Sequence, residues 1–238
     1  MYIFDSTSNH SEKAVVLFFN GASFKKDPKT PAQFQHQAKY FSSKGMMAIC
    51  VDYRNGADKD FLPTQAIYDV KSAVQWVRNN ASDLGIDPNK IIVCGSSAGA
   101  YITVSAIMFD QLMDDHNKEN ATINHVPNAL IVFSGVMDAV DIMRRRYPSL
   151  LDKAFQMSPI HNIKKCLPPT LWICGTSEID FQHNIEFIEL MKQAGNDIRL
   201  KTFEGMEHGF FNYGKHNNKY FHLTKFEIES YLRSMKFL

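Results

Sequence analysis

Short apolar runs alternate along this chain with longer segments of helical period. The runs cover residues 14–19, 46–51, 91–94, 129–133, 170–174 and 198–203, each bounded by turn-forming residues, and Tyr2–Phe4 is a further candidate as an edge strand. Apart from 198–203, these runs are apolar at almost every position and read as strands buried on both faces. Between them, residues 31–44, 64–80, 98–115, 184–194 and 219–234 place apolar side chains three or four apart, as in Ile67, Val70, Val74 and Val77, the stripe of a helix packed on a core. Strand and helix in alternation predict a doubly wound α/β fold, a mostly parallel sheet with helices on both faces. The GIDPNK stretch at 85–90 reads as a turn before a strand, and Gly195 as the stop of a helix. There is no internal repeat and no Pro/Gly/Ser-rich linker, so residues 1–238 read as one domain. Residues 138–157 break the rhythm and read as a small lid.

Composition narrows the function classes. With 26 Lys and Arg against 25 Asp and Glu, the formal charge is +1, so no global field draws the chain to nucleic acid or to an anionic membrane. A small, near-neutral molecule suits that balance better than a polyanion. The longest apolar runs are about 5–6 residues, against the roughly 20 that a membrane-spanning helix needs. The first residues, MYIFDSTSNHSEK, lack the apolar stretch of a secretory signal, which makes a cytoplasmic location the default expectation. The four cysteines, Cys50, Cys94, Cys166 and Cys174, lack metal-ligand spacing, and three of them lie at or next to the end of apolar runs, so they read as reduced core residues.

The sharpest local signal is Gly95-Ser96-Ser97-Ala98-Gly99, a GxSxG sequence between a strand-like and a helix-like run. The bare pattern would occur by chance in about one chain of this length in ten, so its context carries the information. A sharp strand-to-helix turn holds the serine in strained backbone geometry, and the flanking glycines let neighbouring chain pass without a Cβ clash. Ser97 Oγ would then stand clear of the sheet, with the free N–H groups of a new helix behind it. A Gly/Ser turn that merely caps a helix is the bland alternative. After the first strong strand, Asn20-Gly21-Ala22-Ser23-Phe24 occupies the loop where such a fold supplies a second oxyanion donor. The expected donors are the backbone N–H groups of Ala22 or Gly21, together with Ala98.

Nine histidines compete for the role of base, but chain order in this arrangement runs serine, acid, histidine. His208, in FEGMEHGFFNYG, follows the last predicted strand between Gly205 and Gly209, whereas His216 sits in a polar run and His222 inside a helical pattern. The orienting carboxylate should follow the preceding strand, where LWICGTSEIDF offers both Glu178 and Asp180. Either could hold the imidazole Nδ1–H and stabilise the imidazolium.

Taken together, YIFD at the start, FFNGASF, VDYR at 51–54, GIDPNKI, GSSAG, SPIHNI at 158–163, PPTLWICGT and EGMEHGFFNYG resemble the acetyl-esterase and lipase-like branch of the α/β hydrolases. These are bacterial proteins often described as acetylxylan or carbohydrate esterases, and the resemblance covers nearly the whole chain. It implies an α/β-hydrolase fold and a Ser-His-acid triad. Relatives carry the acid in a GTxD pattern, which aligns GTSE at 175–178 and favours Glu178, with Asp180 as the alternative. Where relatives have a richer glycine run, Asn20-Gly21-Ala22-Ser23 carries Cβ atoms that narrow the loop and favour acetyl over bulky acyl groups. The chain also begins almost at the strand before that loop, so an abbreviated sheet is expected.

The resulting expectation is hydrolysis of small acyl esters through an acyl-enzyme, with a small-molecule ester as partner and without metal or organic cofactor; neither HExxH nor a dinucleotide glycine fingerprint occurs. Self-association is left open. Arg144, Arg145 and Arg146 either bind an anionic substrate or form a solvated basic patch. Tyr147, Phe210 and Phe211 either line an acyl or sugar pocket or pack in the core. The rival from another class is a non-catalytic binding protein on the same scaffold, and a peptidase is a third reading.

Overall fold

In the computed structural model, which describes residues 1–6, 12–21, 31–56, 58–109 and 123–238, seven strands form one sheet. They are β1 (Tyr2–Phe4), β2 (Lys13–Phe19), β3 (Met47–Val51), β4 (Ile86–Ser96), β5 (Ala129–Phe133), β6 (Thr170–Gly175) and β7 (Ile198–Phe203). Their spatial order is β1-β3-β2-β4-β5-β6-β7. Only β1 runs antiparallel, against β3; every other pairing is parallel.

Alternate residues of β2 to β6 feed two separate cores. Val15, Leu17 and Phe19 of β2 join one, with Trp172 and Cys174, while Val16 and Phe18 join the other, with Cys94 and Ile173. On the first face lie α2 (Pro63–Asn79), α4 (Ala98–Met108), α5 (Ala139–Arg146) and α6 (Phe181–Gln193). On the second lie α1 (Gln35–Ser43) and α7 (Lys219–Ser234). A short helix, α3 (Ala81–Leu84), links α2 to β4. Both faces of these central strands are therefore buried, which is why they are apolar without alternation, whereas β1 leaves Tyr2 and Ile3 exposed and β7 leaves Arg199 and Thr202 exposed.

Several boundaries differ from the sequence expectation. Strand β4 begins at Ile86, inside the stretch read as a turn. Its first residues pair only at Lys13↔Ile86, and the register shifts before Val15↔Ile91, so Pro88 and Asn89 sit at a bulged margin where a missing or unpaired N–H costs little. The helix expected from 31 opens as a 3-10 turn, Pro31–Phe34. Helix α4 ends at Met108 rather than 115, and residues 110–122 lie outside the described residues. Helix α6 starts one turn earlier than its apolar stripe suggested, and α3 had no sequence signal. The stretch read as a lid consists of α5 and a 3-10 segment, Pro148–Met157; its Ile142, Met143, Leu150 and Met157 are buried in the first core.

Parallel strands put their carboxyl ends on one edge of the sheet, the usual ligand-binding edge of such folds. The segments leaving β2, β4, β5, β6 and β7 there begin with Asn20, Ser97, Ser134, Thr176 and Glu204. Residues separated by more than a hundred positions in the chain are thereby brought to one rim.

Candidate active site

Ser97 stands between β4 and α4 with φ 53° and ψ −116°. That conformation is rare for any residue with a Cβ and costs on the order of 1–3 kcal/mol. Its backbone is pinned on both sides: its N–H donates to Phe133 O at 2.9 Å, and Tyr101 N–H donates to its carbonyl at 3.1 Å. The two flanking glycines have a steric reason. A Cβ on Gly95 would lie 2.5 Å from Gly99 O, and one on Gly99 would lie 2.2 Å from Phe19 O. Only glycine allows the end of β2 and the first turn of α4 to approach so closely. Ser97 is half-buried between buried Ser96 and Ala98. Ala98 and Gly99 open α4, so their N–H groups precede the first intrahelical bond and are free to face a developing negative charge.

Glu178 is almost fully enclosed, its side chain 1% exposed. Three groups meet its carboxylate. Oε1 accepts from Gly175 N–H at 2.7 Å and from Ser134 Oγ–H at 2.6 Å, and Oε2 lies 3.3 Å from His208 Nδ1. Asp180 is half-exposed at the start of α6, with no side-chain cap bond. Of the two carboxylates offered by the sequence, the structure sets Glu178 against the imidazole. Ser134 was not anticipated. It adopts φ 50°, a strained turn at the end of β5 that aims its hydroxyl at the acid. Burial, then the neighbouring Glu178 carboxylate, push the Cys174 thiol up to about 12, which keeps it a neutral, inert core group.

The His208 loop is anchored by the residues that follow it. Phe211 stacks on Phe133 with ring centroids 4.0 Å apart, and Phe210 packs against Phe203 at 5.2 Å. Both rings are buried in the second core, so Phe210 fills the core rather than a pocket. Met206 of the same loop passes so near β6 that a Cβ on Gly175 would lie 2.1 Å from its carbonyl oxygen. The imidazole itself is exposed, at 47%.

Ser97 and His208 share the walls of two cavities. One, of about 350 Å³, also takes in Tyr101, Val136, Ile142 and Ile179, with Arg145, Arg146 and Asp180 at its polar part. Arg145 is paired with Asp141, and Arg144 is not among the lining residues. The other, of about 300 Å³, adds Gly21, Gln33, Ser96, Phe211, Asn212 and Lys215. Tyr147 packs edge-on against Phe61 instead.

The loop after β2 is held by two side chains. Tyr53, the tyrosine of VDYR, donates its hydroxyl to Asn20 O at 2.6 Å. Gln33 Oε1 accepts Gly21 N–H at 2.7 Å, so this amide is already engaged, and of the two loop donors anticipated only Ala22 remains, outside the described residues. Cys50, Cys94 and Cys174 are buried, whereas Cys166 is partly exposed. Among the described residues no cluster of three or more His, Cys, Asp or Glu could hold a metal ion, and no helix is long and apolar enough to cross a membrane.

A strained serine at the end of a central parallel strand, with an imidazole and a buried carboxylate on later strand ends, defines an α/β hydrolase of the esterase and lipase-like kind. The chain belongs to the BD-FAE family, whose model matches residues 1–184. It is similar to esterase 2 of Thermogutta terrifontis, solved after phosphonylation by sarin, with 32% identity over the whole of this chain and 90% of that one and a TM-score of 0.90. The same esterase has also been solved with propionate and with butyrate bound. Among curated relatives, an acylamino-acid-releasing enzyme of Arabidopsis thaliana is 28% identical over 200 residues, 75% of this chain and 26% of its own length. Lipase 2 of a Moraxella species is 24% identical over 254 residues, 87% of this chain and 57% of its own. The chain spans less than half the length of the first curated relatives it matches.

Proposed function

We propose that the protein hydrolyses carboxylic esters of short acyl groups through an acyl-enzyme on Ser97. The observation that carries this reading is the strained Ser97, sharing two cavities with an imidazole whose other nitrogen faces the buried Glu178. His208 Nε2 takes the Ser97 proton as Oγ attacks the ester carbonyl, and Glu178 Oε2 holds Nδ1–H and stabilises the imidazolium. The N–H of Ala98, with that of Ala22, stabilises the oxyanion, each such donor supplying roughly 3–4 kcal/mol. His208 then protonates the departing alkoxide, and water repeats the cycle on the acyl group. Asp180 remains a cavity-wall residue in this scheme.

Acetyl is the expected acyl group and a carbohydrate hydroxyl the expected alcohol. Gln33, Asn212 and Lys215 in the second cavity suit a hydroxylated group, and the propionate and butyrate bound in the Thermogutta terrifontis esterase support a short acyl group. Residues 138–157 act as a small lid in this reading, lending Ile142, Arg145 and Arg146 to the wall of the first cavity.

The test compares p-nitrophenyl acetate hydrolysis by the protein and by Ser97→Ala, with fluorophosphonate labelling alongside. A loss of at least about 10³-fold, and of all labelling, is expected for Ser97→Ala. Equal rates would remove Ser97 from the chemistry, and an unlabelled wild-type protein would support a binding role instead. An acyl-length series followed by acetylated oligosaccharides then tests the substrate.

A further inference from the structure

Gln33 belongs to no catalytic motif, yet its carboxamide joins three segments that carry the machinery. Its Oε1 accepts from Gly21 N–H in the oxyanion loop at 2.7 Å and from Ser96 Oγ–H beside the nucleophile at 3.0 Å. Its Nε2 donates to Asn212 Oδ1 at 2.9 Å, across 179 positions of sequence. Asn212 Nδ2 in turn donates to Gly209 O at 2.9 Å, next to His208. The two amides fix each other's orientation. Gly21 N–H needs an oxygen, so Nε2 must face Asn212; Gly209 O needs a donor, so Asn212 must show Oδ1 to Gln33. A carboxylate at position 33 would lack the donor, and an aliphatic chain would lack both functions.

We propose that Gln33 is a positioning residue that couples the oxyanion loop to the His208 loop, so that the oxyanion donors and the base take up their places together. The proposal rests on the esterase reading above. Chemistry of this kind is sensitive to displacements of about an ångström, which can cost on the order of a hundredfold in rate. Losing the coupling would therefore show in kcat rather than in substrate binding. Toward p-nitrophenyl acetate, whose alcohol carries no sugar hydroxyls to contact it in the second cavity, Gln33 acts only through the groups it holds.

The experiment uses Gln33→Leu, Gln33→Glu, Asn212→Ala and the Gln33→Leu/Asn212→Ala pair on p-nitrophenyl acetate, with rates normalised to fluorophosphonate-titrated sites and Tm measured in parallel. Gln33→Leu is expected to lower kcat by about 10–100-fold with KM within about twofold. Gln33→Glu, which keeps the acceptor for Gly21 and Ser96, should fall between it and wild type. The double variant should be no worse than Gln33→Leu alone, because both changes cut one connection. Should Gln33→Leu not fold, Asn212→Ala breaks the same link from an exposed loop and is read in the same way. Full kcat per titrated site, a loss confined to KM or Tm, or additive losses in the double variant would each overturn the coupling. Those outcomes leave Ser97-dependent hydrolysis intact, so they are distinct from failure of the esterase reading itself.

Discussion

Glu178→Gln removes one charge and almost no volume, and the geometry around the carboxylate dictates which way the new amide must point. Oε1 receives two donors, Gly175 N–H and Ser134 Oγ–H. An NH₂ group placed there would face two hydrogens, leaving a buried donor unpaired at a cost of about 1–3 kcal/mol. The amide oxygen therefore takes the Oε1 position and the NH₂ takes that of Oε2, 3.3 Å from His208 Nδ1. A donor facing Nδ1 makes that nitrogen the acceptor and moves the imidazole proton to Nε2, where it can no longer accept the hydrogen of Ser97. An amide in place of the orienting carboxylate costs a serine hydrolase about 10⁴ in kcat. At about 1.4 kcal/mol per decade this is roughly 5–6 kcal/mol of transition-state stabilisation. The fold should notice little, because both donors to Oε1 keep an acceptor. A change within about 1 kcal/mol corresponds to about 2–4 °C in Tm for a chain of this size.

The assay is kcat/KM for p-nitrophenyl acetate per correctly folded molecule, with Asp180→Asn as the matched control. Asp180 makes no hydrogen bond or ion pair with the imidazole and should stay within about twofold of wild type. A Glu178→Gln enzyme within about tenfold of wild type would refute the tautomer argument, and a larger loss in Asp180→Asn would transfer the acid's role to that residue.

Two further outcomes follow from packing and charge. Gly175→Ala forces a Cβ to within 2.1 Å of Met206 O, so backbone must move; the expected cost is about 3 kcal/mol, a fall in Tm of about 6–12 °C, together with a loss of rate per folded molecule because the His208 loop shifts. Full activity in a destabilised Gly175→Ala would detach that loop from the catalytic geometry. On α7, the Tyr40 hydroxyl and then Arg233 hold the Glu229 carboxyl below the usual carboxylate range. A depressed folded value means the stabilisation is present above the ordinary carboxylate range and is lost as pH falls through the folded one. Glu229→Gln should therefore cost about 1 kcal/mol near neutral pH, and the difference in Tm should close on acidification; a gap that widened toward acid pH would contradict the sign.

Residues were legible in the sequence to the degree that their reason is local. Strands buried on both faces have to be continuous apolar runs, so five of the seven stand out plainly; β4 hid its first residues because a bulged margin tolerates Pro88 and Asn89. The elbow was readable because one strained residue demands small neighbours at fixed offsets, and Gly95 and Gly99 sit where a Cβ would strike backbone. His208 stands out as a candidate by chain order and its bracketing glycines. Local chemistry does not distinguish the two candidate carboxylates: Glu178 and Asp180 leave the same strand two residues apart, and what sets them apart in the structure is the burial of Glu178 against Ser134, a residue 44 positions earlier. Ser134 and Gln33 are ordinary polar residues in stretches without a motif, and Asn212, although it falls within EGMEHGFFNYG, carries no local signal of its own; each gains its partners only when the sheet closes. Strand order decides which loops become neighbours. A side chain that bridges two such loops answers to that order rather than to any pattern along the chain, which is why these were the residues that sequence reasoning missed.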